Sequence, residues 1–300
     1  MATVAPSATF SMEPLILITA LVAGIALAFG LPRWRLQRVL SRPMPAAWRD
    51  ILRSNIPIYA QMSGDLQHQL DRLVQQFLYQ KKFVGCAGLE VDQLMRLTIA
   101  GQACLLLLNR PTRVYPELHT ILIYPSAFMV PRKQVDEAGV VTEARQDLLG
   151  ESWGDGRVIL AWDHVRRGAA DWTDGQNVVL HEFAHQLDSE SGSNNGAPYL
   201  GSQTSYRTWS EVLSRDFANL RTDALYRQPS VMDHYGATSP AEFFAVATET
   251  FFEKPWQMSE RHAALFAELL KYYRVDPRAW LAQPAPESAL QHGSGHGQWQ

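Results

Sequence analysis

The segment Val178 to Asp188, VVLHEFAHQLD, sets His181, Glu182 and His185 in the spacing H-E-x-x-H. Residues four apart lie one above the other on the same face of an α-helix, and two imidazoles so placed can hold one Zn²⁺ at about 2.0–2.1 Å. Glu182 is rotated by about 100° around the helix, so it need not ligate and can take a proton from an attacking water. In a random chain of this length the pattern would arise on the order of one time in a hundred. The flanks argue against a solvated surface helix. Val178, Val179, Leu180, Phe183, Ala184 and Leu187 are apolar, and neither Pro nor Gly occurs from Gln176 to Glu190. Burying two His and one Glu in such a helix carries a heavy desolvation cost, which a metal offsets. The expectation is a zinc-dependent hydrolase, most often a peptidase.

Composition narrows the partners. The chain has 300 residues, 46% apolar and 19% charged, with a net charge of −3. That balance is ordinary for a globular protein and gives no footprint for nucleic acid, so no direct nucleic-acid partner is expected. Cys86 and Cys104 lack C-x-x-C spacing and suggest no disulfide framework. Cys104 sits in the run ACLLLL and reads as a buried, inert thiol.

The N-terminus departs from this average. Leu15 to Leu31 is an uncharged, mostly apolar run, followed by Arg33, Arg35, Arg38 and Arg42, with Trp34 among them. Such a run followed by Arg reads as one transmembrane helix with the catalytic body cytoplasmic. A signal peptide fits less well: Ala26-Leu27-Ala28 resembles a cleavage site, but no basic segment precedes the run. A soluble or surface-lying helix, with the protein free in the cytoplasm, is the other alternative. The expected organisation is a flexible N-terminus (1–14), a transmembrane helix (15–31), a basic linker (32–47), a catalytic domain (48–281) and a disordered tail (282–300). His292 and His296 fall in that tail, where nothing can hold a metal in fixed geometry.

Within the body, helical periodicity marks Trp48 to Arg53 and Asp65 to Gln80, and Val91 to Asn109 reads as a buried helix. TILIY (Thr120 to Tyr124) and RVILAW (Arg157 to Trp162) read as strands. A further helix is expected over Tyr206 to Leu225. Ser239-Pro240-Ala241-Glu242 starts another, with Ser at the N-cap, Pro at the first position and Glu at the third, running to about Glu253.

A catalytic zinc site usually has a third protein ligand. Asp188 lies on the face of His181, but about 10 Å along the axis, and suits closing the helix end or orienting a neighbouring group better. Glu242 and Glu249 share a face of the later helix but lie about 10 Å apart, so both should not bind one ion. Spacing leaves open which of them completes the site, or whether neither does; their bland readings are a capping residue and a solvated face.

HEFAHQLD followed by YGATSPAEFFAVATETFF, together with CAGLEVDQLMRLTIAGQACLLLLN and RVILAWDHV, resembles the Mlc titration factor A family of zinc metallopeptidases. The resemblance covers about residues 48–281, with its blocks in order and spacing. It implies an α+β, gluzincin-like zincin domain, with the H-E-x-x-H helix beside a small mixed sheet. It also implies one zinc held by His181, His185 and Glu242, with Glu182 as general base. Tyr235 matches a tyrosine that the family places near the metal, where its phenol could hydrogen-bond a developing oxyanion; His234 beside it reads as structural or exposed. A peptide or protein substrate is implied, with aminopeptidase action one form of it. An extended peptide could pair with Arg157 to Trp162 if that strand is an exposed edge; an ordinary core strand is the competing reading. The resemblance also implies a partner, a Mlc-like transcriptional repressor of sugar uptake, and so a second possible function as a sequestering protein. A hydrolase of non-peptide amides is a third.

Overall fold

The computed structural model describes residues 13–111, 113–126, 128–135, 141–148, 150–153 and 156–284. They divide into two units, residues 1–43 and 44–300. The first contains one helix, α1 (Glu13–Leu40), which continues through Pro32 and the arginines that follow. Among the described residues no helix is long and apolar enough to cross a membrane. That finding does not support the expected transmembrane helix at Leu15–Leu31 or the membrane anchor.

The second unit begins with α2 (Ala46–Asn55) and α3 (Gly64–Gln80), the latter capped by Ser63 Oγ accepting from the Leu66 amide. Then come strand β1 (Lys82–Gly85), α4 (Gln93–Leu105) and β2 (Thr120–Tyr124). A hairpin of β3 (Phe128–Val135) and β4 (Val141–Leu148) leads to β5 (Gly150–Trp153), β6 (Arg157–Ala161) and α5 (Trp162–Ala170). The helices α6 (Val178–Ser189), α7 (Gln203–Tyr226), α8 (Pro240–Glu253), α9 (Pro255–Arg261) and α10 (Ala263–Tyr273) complete the body. His292 and His296 lie outside the described residues.

Among the described residues the main sheet has the order β1-β2-β6-β5. β1, β2 and β6 are parallel, and β5 is antiparallel to β6, giving the small mixed sheet that was expected. The expectation that Arg157 to Trp162 offers an open edge is corrected. β6 is hydrogen-bonded on both sides, and Val158 to Ala161 are all buried, as an inner strand requires. The edge on that side is β5, which lies against α6.

Helix α6 is placed by its apolar face. Val179, Leu180, Phe183, Ala184 and Leu187 are buried, and the Phe183 ring meets Tyr115 at 4.8 Å and Phe77 at 5.6 Å between centroids. Burying each of the Val, Leu and Phe side chains is worth about 1.5–3 kcal/mol. Helix α8 is apolar nearly all round, with Phe243, Phe244, Phe251 and Phe252 in the core, and it packs along α6. The two helices that carry the candidate ligands are thus pinned by hydrophobic contacts on their other faces.

Candidate metal centre

Helix α6 starts where Asn177 stops the preceding loop. Its side-chain oxygen accepts from the Val179 and Leu180 amides, both at 3.1 Å, which satisfies two of the helix's free N–H groups. One turn on, the His181 and His185 rings meet edge to face, with their Nε2 atoms 3.2 Å apart. Helix α8 is capped by Ser239, whose Oγ accepts from the Glu242 amide at 3.2 Å. That cap brings the Glu242 carboxylate to the two imidazoles: Oε2 lies 2.9 Å from His181 Nε2 and 3.5 Å from His185 Nε2.

The ligand atoms of these three residues all lie within 4.8 Å of one another, and among the described residues this is the group of His, Cys, Asp or Glu able to hold a metal ion. Two imidazole nitrogens and one carboxylate oxygen are the donor set of a three-ligand site with an open fourth position. The buried Glu182 beside them makes the same point: it is 3% exposed, and its Oε2 has no hydrogen-bond partner. An isolated carboxylate there is costly, and a cation with a polar substrate is what it suits. The residues therefore fit a divalent metal.

Glu249 faces the other side of His181. Its Oε1 lies 2.7 Å from His181 Nδ1, while its Oε2 accepts from the Asn177 amide at 2.5 Å. Asn177 also donates from its side chain to Glu253 Oε1 at 3.0 Å. A carboxylate on Nδ1 holds the proton there and leaves Nε2 as the lone-pair donor. The geometry thus separates the two glutamates that spacing alone left open: Glu242 lies on the converging side, Glu249 behind. Asn177 was missed in the sequence. Its capping chemistry is legible before an apolar helix, but its bonds to Glu249 and Glu253 join residues 72 and 76 positions apart.

The electrostatics follow from this packing. Burial pushes the Glu182 carboxyl up to about 7, only partly offset by the nearby His181 and His185. Burial also acts on Glu242, but hydrogen bonds from both histidines outweigh it and bring its carboxyl down to about 2. For His181 burial pulls the pKa down, yet the charge of Glu249 and bonds to both glutamates raise it well above the ordinary imidazole value. A metal ion bound here would compete with that proton on His181.

Tyr235 sits on a 3-10 turn, His234–Ala237, held by Asp233 accepting from its amide at 2.7 Å. The ring is 52% exposed, and its centroid lies 6.0 Å from that of His181. Burial of its inner part and the charges of Glu242, Glu182 and Glu249 push its hydroxyl up to about 12, so it remains a proton donor at neutral pH. His234 is partly buried, with its Nε2 sealed and unpartnered.

Asp188 performs a local task, as expected. Its Oδ2 accepts from the Gly196 amide at 2.7 Å, folding the loop after α6 back onto the helix. Gly196 has φ +77°, and a Cβ there would lie 2.4 Å from the Pro240 carbonyl oxygen at the start of α8. Gly196→Ala is therefore expected to destabilise the protein by at least the ~1–3 kcal/mol typical of a non-glycine residue held in this backbone region. Urea unfolding should show a lower midpoint with an unchanged slope; an unchanged midpoint would mean that the loop moves freely.

The mixed helix-and-sheet fold and the His-His-Glu cluster fit the metallopeptidase class. The chain belongs to the glucose-regulated metallo-peptidase M90 family, whose pattern matches residues 31–274. It is 32% identical over 260 residues to Mlc titration factor A of Yersinia pestis (strain Pestoides F), covering 83% of this chain and 94% of that protein. It is also 41% identical over 266 residues to the uncharacterized protein slr2042 of Synechocystis sp., covering 87% of this chain and 97% of the other. The resemblance to an Mlc titration factor A-like family is thereby established.

Proposed function

We propose that the protein is a zinc-dependent peptidase with a gluzincin-like site, in which His181, His185 and Glu242 hold the metal and Glu182 is the general base. The observation that carries this reading is the convergence of two imidazole Nε2 atoms and one carboxylate oxygen beside a buried carboxylate left without a partner at Oε2. Zinc bound there would polarise a substrate carbonyl and lower the pKa of a water toward 7. Glu182 takes the proton as water attacks the carbonyl carbon, and returns it to the departing amine nitrogen. Tyr235, whose hydroxyl keeps its proton, donates a hydrogen bond to the oxygen on which negative charge develops. Glu249 holds the His181 ring in one orientation. An extended substrate can add to the edge strand β5 beside α6, in the manner of strand addition.

The test is cleavage of a peptide library by the zinc-loaded protein, with and without a chelator. Cleavage that stops on chelation and returns with zinc is expected. A zinc-loaded protein that leaves the whole library intact would remove the peptidase reading.

A second reading has its own support. The name Mlc titration factor A describes a relative aligned over most of its length. By that relationship the protein would bind a Mlc-like repressor in the cytoplasm and withhold it from its operators. Recognising a folded regulator needs a surface, whereas hydrolysis needs the metal cleft. Glu182→Gln should therefore keep such a partner in a pull-down if sequestration is real. Retention by the wild type alone would mark the partner as a substrate.

A further inference from the structure

Glu253 is the last residue of α8. That end of a helix carries partial negative charge and disfavours an anion. The side chain is nonetheless 3% exposed, and among the described residues its buried Oε2 has no hydrogen-bond partner. Burial raises its carboxyl well above the ordinary range. The hydrogen bond from Asn177 opposes this, the charges of Glu249 and Asp174 add to it, and the Gly175 amide opposes it again. Burying a polar oxygen unpaired is unfavourable, so packing alone does not explain a glutamate here.

Its partner, Asn177, is fully buried and can face only one way. Oδ1 accepts from the Val179 and Leu180 amides, so Nδ2 is left to point at Glu253 Oε1, 3.0 Å away, and at the Gly168 carbonyl, 3.4 Å away. Helix α5 presses on the same residue: a Cβ on Gly168 would lie 3.2 Å from Asn177 Cα and Cγ. The Asn177 main-chain N–H donates to Glu249 Oε2 at 2.5 Å, and Glu249 Oε1 lies 2.7 Å from His181 Nδ1. A continuous run of contacts therefore joins the end of α8 to one imidazole of the metal centre. Each of its three links crosses between α8 and the start of α6, so together they fix how the two helices sit at that point.

We propose that Glu253 is a positioning residue of the metal centre: it holds the Asn177 side chain, whose main-chain N–H holds the Glu249 carboxylate that fixes the His181 ring. An apolar side chain at 253 would fill the space but would leave the Asn177 amide without its acceptor, and the main chain that carries the bond to Glu249 would lose a tie. The inference rests on the reading of His181, His185 and Glu242 as metal ligands. Two simpler roles compete with it. Glu253 would act as a distant negative charge that attracts the cation, or it would only close the end of α8.

The test is the zinc affinity of the full-length protein, read by competition against a chromophoric chelator. Glu253→Ala should weaken zinc about tenfold, the low end for a group that acts on a ligand indirectly. Glu253→Gln keeps the Oε1 acceptor without the charge and should regain most of that loss. In a Glu249→Ala background, Glu253→Ala should change affinity by no more than about twofold, because the group through which it acts is gone. Asn177→Ser still caps α6 but is too short to reach Glu253, and it should lose affinity as Glu253→Ala does. It carries the test if Glu253→Ala does not fold. Wild-type affinity in both Glu253→Ala and Asn177→Ser overturns the proposal. So does a Glu253→Gln as weak as Glu253→Ala, which would make Glu253 a distant charge. A loss that persists undiminished without Glu249 also overturns it, since that would be a general loosening of α8. A wild-type protein that binds no zinc is a different result: it removes the metal-centre reading itself, and this proposal with it.

Discussion

Glu182→Gln is expected to lower kcat for peptide hydrolysis by about 10²–10⁴-fold, the usual contribution of a positioned general base, with zinc content unchanged. The amide keeps the shape of the side chain but cannot accept the proton. The pH profile gives a second readout. The free carboxyl is held near 7 by burial, so its basic form grows as pH rises through that region; a nearby cation moves this limb to lower pH. The variant should lose the limb. Stability of the metal-free protein follows the same group with a definite sign. The folded carboxyl, at about 7, keeps a proton that the unfolded one releases near 4.5. The stability this proton contributes is complete below about pH 4.5 and lost as pH rises through 7. The loss amounts to roughly 3 kcal/mol. Chelated Glu182→Gln should therefore be more stable than chelated wild type at pH 8, with the gap closing toward pH 4.5. Equal stabilities at both pH values, measured by urea unfolding, would contradict this account of Glu182.

Glu242→Ala should weaken zinc more than any other carboxylate substitution in the body. It removes a donor atom and a negative charge together from the side where both Nε2 atoms converge. Glu249→Ala should cost about 10–100-fold, the range for a group that orients a ligand through its other ring nitrogen. Competition against a chromophoric chelator measures both. A larger loss for Glu249→Ala would exchange the roles of the two residues. Affinity of the wild type should also fall on acidification, as His181 takes up its proton.

What was legible in the sequence was local. The H-E-x-x-H face, the Ser239 cap and the TILIY and RVILA strands each depend on side chains within a few positions, and each formed where its pattern lay. What was not legible depends on which distant element lies alongside. KFVG and GESW have too few alternating apolar residues to announce strands, yet both pair in the sheet. The place of RVILA as an inner strand depends on β5 pairing to it, which its own residues do not encode. The choice between Glu242 and Glu249 likewise rests on how α8 rotates against α6, and that is decided by four phenylalanines packing into the core.

The ligand set is split between two helices, with His181 and Glu242 separated by 61 residues of chain. During translation at about 5–20 residues per second, the second helix follows the first by roughly 3–12 s. Over that interval the nascent chain has two histidines but no Glu242 to close the site. On the peptidase reading, hydrolytic competence thus comes late in synthesis, after the sheet and α6 have been made. A chain broken off before α8 would carry the H-E-x-x-H segment without the power to cut its neighbours on the ribosome.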